Sequence, residues 1–223
     1  MAEHPILFTG EMVRAILDGR KTMTRRVVKP QPSNPGGLWQ GQNPPKSPNC
    51  ETPLGHFVFL GRDYYCPHGQ PGMTLWVRET WAAVHLCIDP ETGYADDWHG
   101  SHDIPPGNGG GYWTPMYAAD DHPSHYDDRG WQWRPSTHMP RWASRITLEI
   151  TGVRVERVQE ISEEDAIAEG MTMIGPTALT NRTSFARLWD TINESRGYGW
   201  DVNPWVWVVE FRPCSNGREA THD

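Results

Sequence analysis

The chain has 223 residues with 20 basic and 28 acidic side chains, and its net charge of −8 excludes a duplex binder that relies on phosphate neutralisation over its whole surface. No apolar run approaches the length of a membrane span, and four cysteines, Cys50, Cys66, Cys87 and Cys214, exclude a disulfide-dense scaffold. The opening Met1-Ala-Glu-His-Pro lacks the basic and apolar regions of a leader, so a cytoplasmic protein is expected.

Pro5 to Phe8 reads as a short strand. Thr9 then offers an N-cap, Glu11 suits the positive end of a helix, and Met12, Ile16 and Leu17 recur on one face. Gly19 closes that helix, and Lys21 to Val28 follows as an extended run. From Lys29 to about Leu54 proline, glycine and asparagine predict a long loop. His56 to Leu60 and Met73 to Glu79 are strand candidates, separated by the turn-rich Cys66-Pro-His-Gly-Gln-Pro-Gly72. Asp89 to about Pro140 is acidic and shows little periodicity apart from one strand candidate, Tyr112 to Ala119. Arg145 to Val158 alternates as a long strand with an expected break or bulge at Gly152. Ser162-Glu-Glu-Asp165 resembles a capping box and opens a short helix that ends at Glu169-Gly170. A second helix over Thr183 to Glu194 aligns Phe185, Leu188, Trp189 and Ile192. Trp205 to Phe211, apolar on both faces, reads as a central strand with Trp205 and Trp207 in the core.

Strands outnumber helices and occupy both ends of the chain, which fits an α+β fold: a small mixed β-barrel with two to three flanking helices and long inserted loops. The expected organisation is one domain over 1–214 with insertions at about 30–55 and 89–140, followed by a flexible tail, 215–223.

Two features carry chemistry. Arg20, Lys21, Arg25, Arg26 and Lys29 form a basic run, and charge alone predicts a solvated face. Within it stand Lys21 and Thr24: a desolvated lysine can take the proton that makes a threonine hydroxyl nucleophilic. Residues three apart in a regular strand point to opposite faces, so the pair converges only if the backbone turns or bulges after Gly19. The chain also carries 12 tryptophans, some for the core and others available as stacking platforms.

Gly19-x-Lys21-Thr22-x-Thr24-x-Arg26, directly after a short capped helix, resembles the signature of the ASCH family, whose fold is a PUA-like β-barrel related to RNA-binding domains. The common ASCH motif has Glu where this chain has Thr24; the Thr form is that of the small bacterial N4-acetylcytidine amidohydrolases. In those enzymes a Glu two residues before a Met completes a Lys/Thr/Glu triad, and Glu169-Gly170-Met171 is similar. The likeness covers roughly 1–28, 72–81 and 142–211, with the intervening segments resembling the insertions of longer phage and prophage ASCH proteins. It implies Thr24 as nucleophile, Lys21 as base and Glu169 as proton donor; a helix C-terminus also disfavours a carboxylate charge at Glu169, as a general acid requires. Gly72-Met73 departs from the family's Gly-Asp, and Arg25 departs from its apolar residue.

Arg26 is the expected anion or carbonyl clamp, and Glu79, Arg78 and Trp81 are expected to contact substrate. Glu79 should sit at the barrel mouth, bonding a cytosine-like amine, orienting Lys21, or pairing with Arg78 or Arg26. Cys66, His68, His85 and Cys87 have zinc-compatible chemistry without standard finger spacing, and no metal or other cofactor is expected in the reaction. The implied function is hydrolysis of the acyl group from N4-acylated cytosine nucleosides or bases. The alternative is a non-catalytic RNA- or DNA-binding ASCH module of the phage accessory kind. Partners are accordingly a modified cytidine or cytosine, or RNA, and no membrane.

Overall fold

A computed structural model of the chain describes residues 3–32, 56–59, 62–88, 95–98, 113–120, 133–172 and 180–214. Of the expected insertions, 33–55, 89–94, 99–112 and 121–132 lie outside the described residues, as does the tail 215–223.

Strand β1 (Glu3–Leu7) leads into helix α1 (Gly10–Leu17), whose start is capped by the Thr9 hydroxyl accepting from Met12 N at 3.4 Å. Gly19, with φ of 71°, turns the chain out of the helix, and the backbone N–H groups of Arg20 and Lys21 both donate to Ala15 O at 2.9 Å. Strand β2 (Met23–Val27) begins two residues after Lys21. Strands β3 (His56–Phe59) and β4 (Arg62–Tyr65) pair as a hairpin, and β5 (Thr74–Arg78) follows the turn-rich segment. Leu75, Val77 and, beyond the strand end, Glu79 and Trp81 are all buried, as their alternation predicts. Strands β6 (Trp81–Ile88), β7 (Ala95–Trp98) and β8 (Trp113–Tyr117) form a three-stranded antiparallel sheet in the order β7-β6-β8. The acidic stretch after Ile88 thus contains a paired strand, β7, where an irregular excursion is expected.

Strand β9 (Thr147–Arg157), helices α2 (Glu163–Ala168) and α3 (Asn181–Asn193), and strand β10 (Trp205–Pro213) complete the described elements. The main sheet is mixed, in the order β1-β5-β9-β10-β2, so β10 has a neighbour on each side, as its apolar faces predict. The molecule is therefore of the α+β kind. The expected irregularity near Gly152 exists: β10 pairs Glu210 with Gly152 and Phe211 with Ile150, so the register skips Thr151. Helix α3 starts at Asn181, earlier than Thr183, because Thr180 is the N-cap and accepts from Thr183 N at 3.2 Å.

Register fixes which β2 side chains share a face. Thr24 lies beside Val209 and Arg26 beside Trp207, while Met23, Arg25 and Val27 occupy the other face. On that other face Met23 packs with Val206, Val208, Phe185, Trp189, Ile161 and Ala166, so helices α2 and α3 cover it. Met171, the residue that follows Gly170, packs against the same cluster.

The chain forms two compact units, one drawn from Met1–His4, Ala15–Leu75 and Leu148–Asp223, the other from Pro5–Arg14 and Trp76–Thr147. No helix among the described residues is long and apolar enough to cross a membrane.

Candidate active site

Lys21 lies outside the regular part of β2, so strand alternation does not dictate its direction. It forms an isolated antiparallel bridge with Glu169, and Thr22 N donates to Ala168 O at 2.8 Å, which ties the start of β2 to the end of α2. Glu169 is the C-cap of α2, and Gly170 follows at φ of 93°, the left-handed conformation that closes the helix. The Lys21 amine, 1% exposed, donates to the Glu169 carboxylate at 2.6 Å and to the Glu169 backbone oxygen at 2.8 Å. Sequence reasoning brings these two residues together, and so does the structure.

The basic run is not a solvated face. Lys21 and Arg25 are buried; only Arg20, paired with Asp18 at 2.8 Å, and Lys29, beside the Tyr198 ring, reach outward. Arg25 is 3% exposed and stands among three carboxylates, Glu156 at 2.6 Å, Asp165 at 2.5 Å and Glu169 at 3.3 Å. Its guanidinium also lies 5.8 Å from the Phe185 ring centroid. Arg154 extends the network to Asp165 at 2.7 Å, Glu156 at 3.2 Å and Glu210. Gly152 leaves the room this requires, since a Cβ there would stand 2.8 Å from the Glu210 carboxylate. The capping box at Ser162 is half made: Ser162 accepts from Asp165 N at 3.0 Å, whereas the Asp165 carboxylate is turned to Arg25 and Arg154.

Burial is the main influence on Lys21. It pushes the ammonium pKa below its ordinary value against the opposing pull of Glu169, and the charges of Arg26 and Arg25 act in the same direction as burial. Burial also opposes the Arg25 cation, but Glu156 and Glu169 outweigh it and raise its pKa. Arg26 is partly buried, and desolvation lowers its pKa with Glu169 acting against the shift. His68 is pushed down to about 4 by burial, then by Arg26 and His4, so its ring is neutral at neutral pH. Thr24 is 1% exposed on the face it shares with Arg26.

No family model, curated protein or solved structure matches the chain.

The remaining expected site residues belong to the second unit. Glu79 is fully buried and bound through both oxygens by Arg145, Nε and Nη2 each at 3.0 Å, a partner that was not among those expected. Arg145 also reaches Asp120 at 2.7 Å and lies 3.9 Å from the Tyr117 ring centroid. Burial raises the Glu79 pKa although Arg145 opposes it. Arg78 donates to Thr137 O and stacks near Trp76, with its guanidinium 5.4 Å from the ring. Trp81 packs edge-on against Trp142 at 5.8 Å in a small core with Met139 and Ala143.

Arg25, Asp165 and Glu156 are the residues whose place in the centre sequence reasoning missed. The available signal was spacing: Arg25 falls between Met23 and Val27 on the face that packs under the helices, and Asp165 and Glu169 stand one helical turn apart. Of the zinc-compatible set, the side chains of His85 and Cys87 lie outside the described residues. The Cys66 thiol is pushed up to about 11 by burial.

Proposed function

We propose that the Lys21–Glu169 centre hydrolyses an amide, removing the acyl group from N4-acylated cytosine nucleosides or bases with Thr24 as nucleophile. The observation that carries this reading is a buried amine, lowered in pKa, 2.6 Å from a buried carboxylate at the start of the strand that bears a buried threonine. Such an amine is more readily neutral than a solvated lysine, and only the neutral form accepts a proton.

In this mechanism the Thr24 oxygen adds to the acyl carbon while its proton passes to the Lys21 amine. The tetrahedral intermediate collapses, the bond from the acyl carbon to N4 breaks, and N4 takes a proton through Glu169, which receives from Lys21 the proton that came from Thr24. Water then cleaves the threonyl ester, its hydroxyl joining the acyl group as a carboxylic acid and its other proton returning to Thr24. Arg26, on the Thr24 face, is the charge available to the carbonyl oxygen.

The substrate class follows from the resemblance of Gly19-x-Lys21-Thr22-x-Thr24-x-Arg26 to the Thr form of the ASCH motif. The corresponding architectural reading is a PUA-like barrel built on the mixed five-stranded sheet, supported by the central position of β10 and by β2 on the sheet edge. Purified protein incubated with N4-acetylcytidine should release acetate and cytidine. Folded protein that leaves both the nucleoside and N4-acetylcytosine intact overturns the reading.

A second reading, RNA binding without catalysis, is favoured by one observation: the guanidinium groups of Arg78 and Arg141 both lie over the Trp76 ring, 5.4 and 5.9 Å from its centroid. Salt-sensitive RNA binding that Trp76→Ala abolishes, with no deacylation, supports it over hydrolysis.

A further inference from the structure

Arg25 is surrounded by more negative charge than its neutralisation requires. Its Nε and Nη2 both engage one oxygen of Glu156, at 2.9 and 2.6 Å, and Nη2 also reaches Asp165 at 2.5 Å. These short contacts, with the Phe185 ring beside the guanidinium, fix the plane of the group. Nη1 is left for Glu169 Oε1 at 3.3 Å and the Met23 sulfur at 3.4 Å. Glu169 Oε2 meanwhile accepts from Lys21. The two oxygens of one buried carboxylate are thus divided between a cation clamped by other groups and the amine of the reacting centre. Asp165 and Glu169, one turn apart on α2, approach the same guanidinium, and Arg154 braces Asp165 and Glu156 from the far side.

We propose that Arg25 is a positioning residue, which holds Glu169 Oε1 so that Oε2 stays turned to Lys21 when that amine exchanges protons with Thr24. The proposal rests on the reading of Lys21, Thr24 and Glu169 as one reacting centre. Arg25 touches no reacting atom itself. Without it, Glu169 is free to rotate about its last torsion, and Lys21 loses both a fixed partner and a neighbouring positive charge.

The test uses the full chain with Arg25→Lys, which keeps the charge but lacks the planar fork, and Arg25→Gln, which keeps a donor but no charge. For N4-acetylcytidine, Arg25→Lys should lower kcat roughly tenfold to a hundredfold, with KM within about twofold of wild type. Without substrate, NMR should show the Lys21 amine titrating at higher pH in Arg25→Gln and the Glu169 carboxyl resonance displaced in Arg25→Lys. A purely structural tie would lower the melting temperature of both variants and leave kcat and both resonances at wild-type values; that result overturns the proposal. If wild type deacylates nothing, the assigned reaction falls, and the resonances then decide the role of Arg25: displacement supports it and wild-type positions overturn it. If Arg25→Gln does not fold, the Glu169 resonance in Arg25→Lys decides in the same way.

Discussion

At Lys21 the balance between burial and pairing sets a pH dependence whose direction is fixed. An unfolded lysine carries its proton up to its ordinary 10.5, whereas the folded amine gives it up at lower pH. Between those two values the unfolded state binds more protons, so Lys21 contributes stability that increases as pH rises through the window. The same shift should appear in catalysis. The kcat/KM profile for N4-acetylcytidine should rise with pH along a limb whose midpoint lies below 10.5, as Lys21 becomes neutral. Lys21→Arg, which cannot lose its proton in this range, should remove activity by orders of magnitude at every pH; an active Lys21→Arg enzyme contradicts the role of base. The Lys21–Glu169 pair was expected from the resemblance of Gly19-x-Lys21-Thr22-x-Thr24-x-Arg26 and Glu169-Gly170-Met171 to a known triad, not from residue chemistry alone. Arg25 was not, because five basic residues in ten look the same in a charge count, and only packing distinguishes a clamped guanidinium from a solvated one.

At the level of elements, the site depends on two helix ends. Gly19 and Gly170 both adopt positive φ, 71° and 93°, but their surroundings differ. A Cβ at Gly19 meets nothing within 4 Å, so Gly19→Ala should cost about 1 kcal/mol of backbone strain. At Gly170 it would stand 3.0 Å from the Ala15 Cβ and 3.3 Å from the Lys21 Cβ, so Gly170→Ala should cost roughly 2–3 kcal/mol and displace Lys21. Chemical denaturation of the two variants checks the order, and equal losses contradict the packing argument. Helices α1 and α3 were legible from apolar spacing, α1 also from its threonine cap, whereas the Thr180 cap of α3 was not read. Strands β6 and β7 were not. Only Glu79 and Thr80 separate β5 from β6, with no glycine or proline to mark the turn, and the sequence of β7, Ala95-Asp-Asp-Trp98, shows no apolar alternation or β-branched residue to mark a strand.

For the molecule as a whole, the acid limb of stability should carry the signature of His68. Its folded ring binds a proton only near pH 4, while the unfolded ring does so at 6.5. The unfolded state therefore holds more protons between these values, and stability should fall as pH drops from 6.5 to 4, by at most about 3 kcal/mol and less for a half-buried ring. His68→Gln should flatten that segment of the curve measured by urea denaturation, and an unchanged slope contradicts the assignment. The sheet core was legible from alternation and from the doubly apolar β10. The division into two compact units was not, because its boundaries fall inside β1, α1, β5 and β9, where no change of composition marks them. The central claim is chemical, and it rests on one oxygen atom. The most direct measurement compares wild type with Thr24→Ala and Thr24→Ser for turnover and binding of N4-acetylcytidine. Loss of the hydroxyl removes about 1 kcal/mol of binding at most, yet it removes the nucleophile altogether. Thr24→Ala should therefore bind within roughly tenfold of wild type while losing turnover by orders of magnitude, and Thr24→Ser should retain part of the activity. Undiminished deacetylation by Thr24→Ala would contradict the account.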